Sequence, residues 1–149
     1  MSADFELIYK EEAYAILGAC FGVYNEMGSG FAEAIYQECL ELEFASRRVP
    51  AMAQTDLRIR YKGQELMKRY QPDFVCYRKI IVELKAVTAL TPAHQSQLLN
   101  YLKATDFTLG LLVKFGNPTS LEGQRIGEMK KPSRRNPTEP FVKIRVIRG

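Results

Sequence analysis

Two carboxylates and a lysine stand inside the stretch of sequence with the strongest claim to be core. In "PDFVCYRKIIVELKA" (72–86), Ile80, Ile81, Val82, Leu84 and Ala86 form an apolar run broken by Glu83 and Lys85, and Asp73 precedes that glutamate by ten positions. Read as a strand, the segment alternates faces, so Ile81, Glu83 and Lys85 point one way while Val82, Leu84 and Ala86 point into the core. If Cys76 pairs with Ile80 across a three-residue turn, Asp73 falls opposite Glu83, where Cβ atoms lie about 5 Å apart and like charges repel. A divalent cation between the carboxylates removes that repulsion. Mg2+ is held in this way by one or two carboxylates, with waters and substrate phosphates completing its shell. Such an ion acts as Lewis acid, template and activator of water. Lys85 is then placed to orient or deprotonate a water, or to offset charge building on a phosphate. The chemistry is that of phosphodiester hydrolysis. The plain solvent face of an amphipathic strand shows the same alternation, and these three residues alone do not separate the two readings.

Other residues bear on the choice. "GSGFAEAIY" (28–36) puts Glu33 at the start of a helix with Tyr36 three residues on. A glutamate there stabilises the helix macrodipole; it also suits a third carboxylate reaching a metal or its water. "HQSQLLNYLKA" (94–104) puts Gln97 and Tyr101 at i and i+4 on one helix face, opposite Leu98, Leu99 and Leu102. An amide and a phenol on a shared face suit a phosphate or the lysine. His94, the one histidine of the chain, falls in the first turn of that helix, as a cap or as a participant near the site.

These residues need a scaffold. Helical periodicity over 5–25 puts Ala13, Ile16, Leu17, Cys20 and Tyr24 on one stripe, and "MGSG" (27–30) ends that helix. A second helix is expected from about Ala32 to Arg48, with Ile35, Cys39 and Leu42 inward, joined by Leu40 and Phe44. Strands follow in "QTDLRIRY", "LMKRY", "DFVCY" and "KIIVELKAV", the last two as a hairpin around Arg78. Thr91-Pro92 reads as an N-cap and first helical position for a helix over roughly 92–104. "FTLGLLVKF" (107–115) is a central strand, "GNPTSLEGQ" (116–124) a loop, "KKPSRRNPTEP" (130–140) a basic excursion and "FVKIRVIR" (141–148) an alternating closing strand. The sum is one α/β domain with a mixed sheet.

The 149 residues fit one domain with a proper core. The N-terminal stretch is acidic throughout, unlike a secretory signal, and no apolar run approaches the ~18 residues of a membrane span. Three cysteines without CxxC spacing read as reduced thiols of a cytoplasmic protein. Residues 125–149 carry eight Lys/Arg against two Glu, a basic C-terminal segment that suits a polyanion or simply solvates the end of the chain.

Taken in chain order, these motifs resemble the GxxExxY family of the PD-(D/E)xK nuclease superfamily, over roughly residues 8–116. The name-giving motif is Gly30-Phe-Ala-Glu33-Ala-Ile-Tyr36. The nuclease signature is Pro72-Asp73, nine residues, then Glu83-Leu84-Lys85, and Gln97-x-x-x-Tyr101 is similar to the QxxxY element of RecB-type nucleases. The resemblance implies a restriction-endonuclease-like αβββαβ core, with a mixed central sheet flanked by helices. Length and charge add the expectation that 1–149 form a single domain with a basic extension from about 125, which is not part of the family pattern. The resemblance also implies Mg2+ or Mn2+ acting on nucleic acid, DNA ahead of RNA. Carried over by residue, Asp73 and Glu83 are metal ligands, Glu33 assists the metal from its helix, Lys85 is the catalytic lysine and Gln97 supports it. Tyr36 and Tyr101, with His94, are expected on the substrate-binding side. The competing reading is a non-catalytic module that keeps the nuclease scaffold and binds nucleic acid or a partner protein. A homodimer suits the cutting of two strands.

Overall fold

The computed structural model describes residues 7–128 and 142–148, with the backbone alone for 128 and 142–148. The chain runs α1 (Lys10–Met27), α2 (Glu33–Arg47), β1 (Ala51–Ala53), β2 (Leu57–Tyr61), β3 (Gln64–Tyr70), β4 (Phe74–Cys76), β5 (Ile80–Lys85), α3 (Pro92–Thr105), β6 (Leu109–Lys114), β7 (Glu122–Glu128) and β8 (Val142–Arg148). Six strands form one mixed sheet in the order β1-β4-β5-β6-β7-β8, while β2 and β3 pair only with each other. The β5–β6 pair is parallel and is joined through α3; the other pairs are antiparallel.

Helices α1 and α2 cover one face of the sheet. Ala13, Ile16, Leu17 and Cys20 of α1 and Tyr36, Leu40 and Phe44 of α2 meet Ile80, Val82, Leu84, Leu109, Leu111 and Val113 there. The second face carries α3, where Leu98 and Leu102 pack with Tyr70, Ile81, Leu112 and Ile126. Strands β5 and β6 are thus buried on both faces, which is why their sequences read as near-continuous apolar runs rather than clean alternation. It also corrects the expected division of β5: Ile81, on the side of Glu83 and Lys85, is fully buried.

Helix α3 is capped as the sequence foretold, with a variation. The Thr91 hydroxyl accepts from the His94 amide at 3.3 Å, and the Thr91 amide donates back to His94 Nδ1 at 3.2 Å. Histidine thus fills the place usually held by Glu in a capping box.

Elsewhere the expectations needed revision. The inward face of α2 is Tyr36, Leu40 and Phe44, whereas Ile35 and Leu42 are exposed, because the helix meets the sheet one residue further round than apolar content suggested. Short β1, pairing with β4, was not anticipated; three residues after Pro50 carry too little pattern. Helix α1 begins at Lys10, not near residue 5. The expected loop 116–124 gives way to β7 at Glu122, which pairs with β6 from Lys114 onward. Arg125, counted with the basic C-terminal segment, is buried in β7 and its guanidinium donates to the Ile8 carbonyl. The basic excursion 130–140 lies outside the described residues. Among those described, no helix is long and apolar enough to cross a membrane.

The end of β5 is fixed by close approach. The Phe115 amide donates to the Lys85 carbonyl at 2.8 Å, and a Cβ on Gly116 would stand 2.2 Å from the Val87 carbonyl oxygen. Backbone cannot yield as a side chain does, so Gly116→Ala is expected to destabilise by about 2–3 kcal/mol. Urea unfolding checks this; an unchanged midpoint would show that the 85–87 segment is free to shift.

Candidate active site

The register of β4 on β5 positions the carboxylates. Cys76 pairs with Ile80, Val75 with Ile81 and Phe74 with Val82, so Asp73 faces Glu83 at the next step, as the spacing predicted. The turn that sets this register is built from two left-handed residues, Tyr77 (φ 54°) and Arg78 (φ 61°), and is closed by Lys79 N–H donating to Cys76 O at 3.1 Å. Such turns favour Asn-Gly, and bulky residues there are strained. The hairpin is held from outside: Tyr77 N–H donates to Pro50 O at 2.8 Å, while Lys79 Nζ pairs with Glu12 at 2.8 Å and lies 4.4 Å from the centroid of the Tyr9 ring.

At the open end of the hairpin the strands exchange bonds through side chains. The Asp73 amide donates to Glu83 Oε1 at 2.9 Å, and the Leu84 amide donates to Asp73 Oδ2 at 2.7 Å. Each carboxylate is thereby oriented with one oxygen engaged. From the start of α2, Glu33 Oε1 accepts from the Ala86 amide at 3.1 Å, tying that helix to the end of β5. Desolvation raises the Asp73 carboxyl above its ordinary value, partly opposed by the Leu84 amide and reinforced by the Glu33 charge. Glu83 is pushed up to about 7 by burial first and the Asp73 charge second; the Asp73 amide and Lys85 oppose the shift.

A tight crevice between α3 and the sheet, too narrow to admit a water, collects the remaining residues. Tyr70, Glu83, Lys85, His94, Gln97 and Tyr101 line it, over a floor of Leu98 and Leu112. Tyr70 and Tyr101 stack with centroids 3.7 Å apart and rings within 3° of parallel. The Tyr70 hydroxyl is buried and completes no hydrogen bond with good geometry. It lies close enough to Glu83 to ease that carboxyl's shift and, chiefly through burial, to have its own pKa raised. Beyond the crevice, polar groups continue across the sheet. Lys114, buried, pairs with Glu122 at 3.3 Å, and Gln95 Nε2 donates to Gln124 Oε1 at 2.7 Å.

The expected site residues therefore divide. Asp73, Glu83, Lys85 and Glu33 converge from β4–β5 and α2, and Gln97 and Tyr101 reach the same crevice from α3. His94 lines the crevice while its Nδ1 serves the cap. Tyr36 is corrected: it is fully buried, stacked on Phe115 with centroids 4.4 Å apart. Its hydroxyl donates to Gly28 O at 2.5 Å and accepts from Phe31 N–H at 3.3 Å, so it anchors the loop before α2 and cannot touch substrate. The spacing Gly30…Glu33…Tyr36 thus has a mechanical sense. Gly30 takes φ 103°, which side chains rarely adopt; Glu33 opens the helix toward β5, and Tyr36 pins the loop. Tyr70, Gln95, Lys114 and Gln124 were missed by sequence reading. Tyr70 left a trace, as an aromatic closing an alternating strand just before Gln71-Pro72-Asp73.

The family model of the PD-(D/E)XK nuclease superfamily matches residues 10–126, a span that runs from α1 into β7 and includes every residue of the carboxylate–lysine set. This chain belongs to the PD-(D/E)XK nuclease superfamily. No curated protein and no solved structure gives a significant match. The mixed sheet with flanking helices is the restriction-endonuclease-like arrangement of that superfamily, whose nucleases generally use divalent metal ions. Among the described residues, no group of three or more His, Cys, Asp or Glu side chains closes into a ligand cage. The donor set fits an ion bound with fewer protein ligands. Asp73 and Glu83 are half-buried and oriented by amides, a pair of carboxylates that suits a divalent ion whose shell is completed by waters and substrate phosphates.

The raised Glu83 pKa carries a sign. Between its ordinary value of 4.5 and about 7, the folded chain holds a proton that the unfolded chain has released. Without metal, the Glu83 contribution to stability is therefore fully present below about 4.5 and is lost as pH rises through that window, by a few kcal/mol. Glu83→Gln is expected to remove most of this slope and to stabilise the metal-free protein near pH 8 relative to the unsubstituted chain. Urea unfolding in chelator at about pH 5 and about pH 8 measures it; an unaltered slope in the variant would place the titration elsewhere.

Proposed function

We propose that this protein is a Mg2+- or Mn2+-dependent nuclease of the GxxExxY type, hydrolysing phosphodiester bonds in nucleic acid, DNA ahead of RNA, in the cytoplasm. The observation that carries the reading is the pairing of Asp73 with Glu83 at the mouth of the β4–β5 hairpin, with Lys85 one step further along the same face. Asp73 and Glu83 are the residues to hold the ion, with Glu33 beside them. When bound, the ion supplies Lewis acidity and lowers the pKa of water.

The chain's own residues account for the rest. The amides of Asp73 and Leu84 fix the carboxylate oxygens, so little reorganisation is needed on loading. Lys85 places an ammonium where charge grows on the phosphate and where an attacking water is oriented. Glu33 spans from α2 to the Ala86 amide and keeps the end of β5 in place for that lysine. Gln97, exposed on α3, is positioned to donate to a phosphate oxygen, and Tyr101, stacked on Tyr70 beside Glu83 and Lys85, borders the substrate side.

Incubation of labelled single- and double-stranded DNA and RNA with the protein and either ion tests the proposal. Cleavage is expected to require the ion and to fall at least ~100-fold in Asp73→Ala, Glu83→Ala and Lys85→Ala, with a smaller loss, about 10-fold, in Glu33→Ala and Gln97→Ala. Tyr36→Phe should instead lower thermal stability by about 1 kcal/mol while leaving turnover by the folded protein intact. Absence of cleavage on all four substrates, with binding retained, would favour the non-catalytic module.

A further inference from the structure

The β2–β3 hairpin stands apart from the sheet. Its root packs on α3 and the sheet through Leu57, Ile59 and Tyr70, but every residue from Arg60 through Arg69 is exposed. The distal half is bare on both faces: Tyr61 and Leu66 on one are 59% and 37% exposed, and Met67 on the other is 97% exposed. Lys62 (φ 50°) and Gly63 (φ 79°) make the tight turn at the tip, and the register shifts between Arg58 and Arg60, a bulge that adds twist.

The charge on this ribbon is lopsided. Residues 57–70 hold Arg58, Arg60, Lys62, Lys68 and Arg69 against Glu65 alone, a surplus as large as that of the entire chain. Arg58 and Arg69 are direct cross-strand partners, an arrangement that repels. They share Glu65, at 3.3 and 3.2 Å, while Arg60 turns to Asp106 at 2.7 Å. Exposed pairs of this kind add little stability. The surplus of positive charge that these exposed pairs leave on the ribbon is complementary to a phosphate backbone.

Position decides the partner. From Tyr70, whose hydroxyl faces Glu83, the chain reaches Asp73 in three residues, so the root of the hairpin lies at the carboxylates. Its seven-residue strand β3 carries the tip roughly 20 Å away. We propose that the β2–β3 hairpin is an arm that lies in the major groove of duplex DNA, its Arg and Lys side chains on flanking phosphates and Met67 toward the base edges, and so delivers the backbone to the carboxylates. A two-stranded ribbon fits the major groove of B-form DNA, about 12 Å wide, whereas the deep, narrow major groove of A-form RNA excludes it. A second copy of the chain docked hairpin to hairpin would set like charge against like charge. The proposal rests on the nuclease reading for its substrate class, yet its test does not.

Binding is measured in chelator, where cleavage is not required, using a fluorescent DNA duplex of about 25 base pairs, the same sequence as duplex RNA, and its single strand. The protein is compared with Arg58→Gln/Lys62→Gln/Lys68→Gln and with a charge-matched control, Lys10→Gln/Arg48→Gln/Lys103→Gln. The unsubstituted protein is expected to favour duplex DNA. The hairpin variant should bind at least ~10-fold more weakly, with a log–log salt slope shallower by about 2–3; the control should change neither. Equal losses in both variants, no loss in the hairpin variant, no measurable binding of duplex DNA by the unsubstituted protein, or preference for RNA or single strands would each overturn the arm. Tight duplex binding that depends on the hairpin, without cleavage once metal is added, would instead leave the arm standing and remove the nuclease.

Discussion

The amide of Asp73 donates to the Glu83 carboxylate and the amide of Leu84 donates to the Asp73 carboxylate, so two like charges are held face to face by each other's main chain. The ladder between β4 and β5 ends at Phe74 and Val82, and these two bonds replace the backbone pairs that would have continued it. A side chain substituting for a carbonyl in a sheet loses some cooperativity, but it fixes oxygen positions more tightly than solvent does. The surroundings then follow. Burial lifts both carboxyls, and the lysine two residues on shares their face. The strained turn at Tyr77–Arg78 must be kept from relaxing, because a different turn length would move Asp73 away from Glu83.

Holding that pair requires a stiff support on both sides. Strand β5 is clamped between α1–α2 and α3, and its parallel partner β6 is equally buried. Parallel strands need a long crossover, and here the crossover, α3, does more than return the chain. Its polar face closes the crevice over Glu83 and Lys85 while its apolar face completes the second core. Glu33 and Tyr36 do comparable work on the opposite side: one reaches the end of β5 and the other, buried, sets the angle at which the helix approaches.

Much of this was legible in residue types and spacing. The β4–β5 hairpin, the opposition of Asp73 and Glu83, the cap at Thr91 and the central apolar strand are local, set by turn length, alternation and helix-start chemistry. Tertiary partners were not. Nothing in "LRIRYKGQELMKRY" states that the hairpin pairs with itself alone, because a strand pattern does not name its neighbour. Tyr36 sits in a motif that also contains a candidate site residue, and spacing does not distinguish a wall of the site from its foundation. Arg125 reads as part of a basic tail until the sheet takes it in. Gln95 and Gln124 are polar positions on amphipathic elements, visible as partners only once α3 has been laid across β7.

The buried pairing of Lys114 with Glu122 has a consequence for how the sheet is assembled. Both side chains lie on the α3 face, at directly opposed positions of β6 and β7. Sliding β7 by one residue would turn its side chains to the other face, leaving an ammonium enclosed without a carboxylate at a cost of about 3–5 kcal/mol. Apolar neighbours alone, such as Leu111, Leu112 and Val113, would tolerate such a slip with far less penalty. The ion pair therefore acts as an alignment key: it admits one pairing of β7 on β6 and rejects the adjacent ones. Through the central strand β6, the same key aligns the outer half of the sheet with the half that carries the carboxylates.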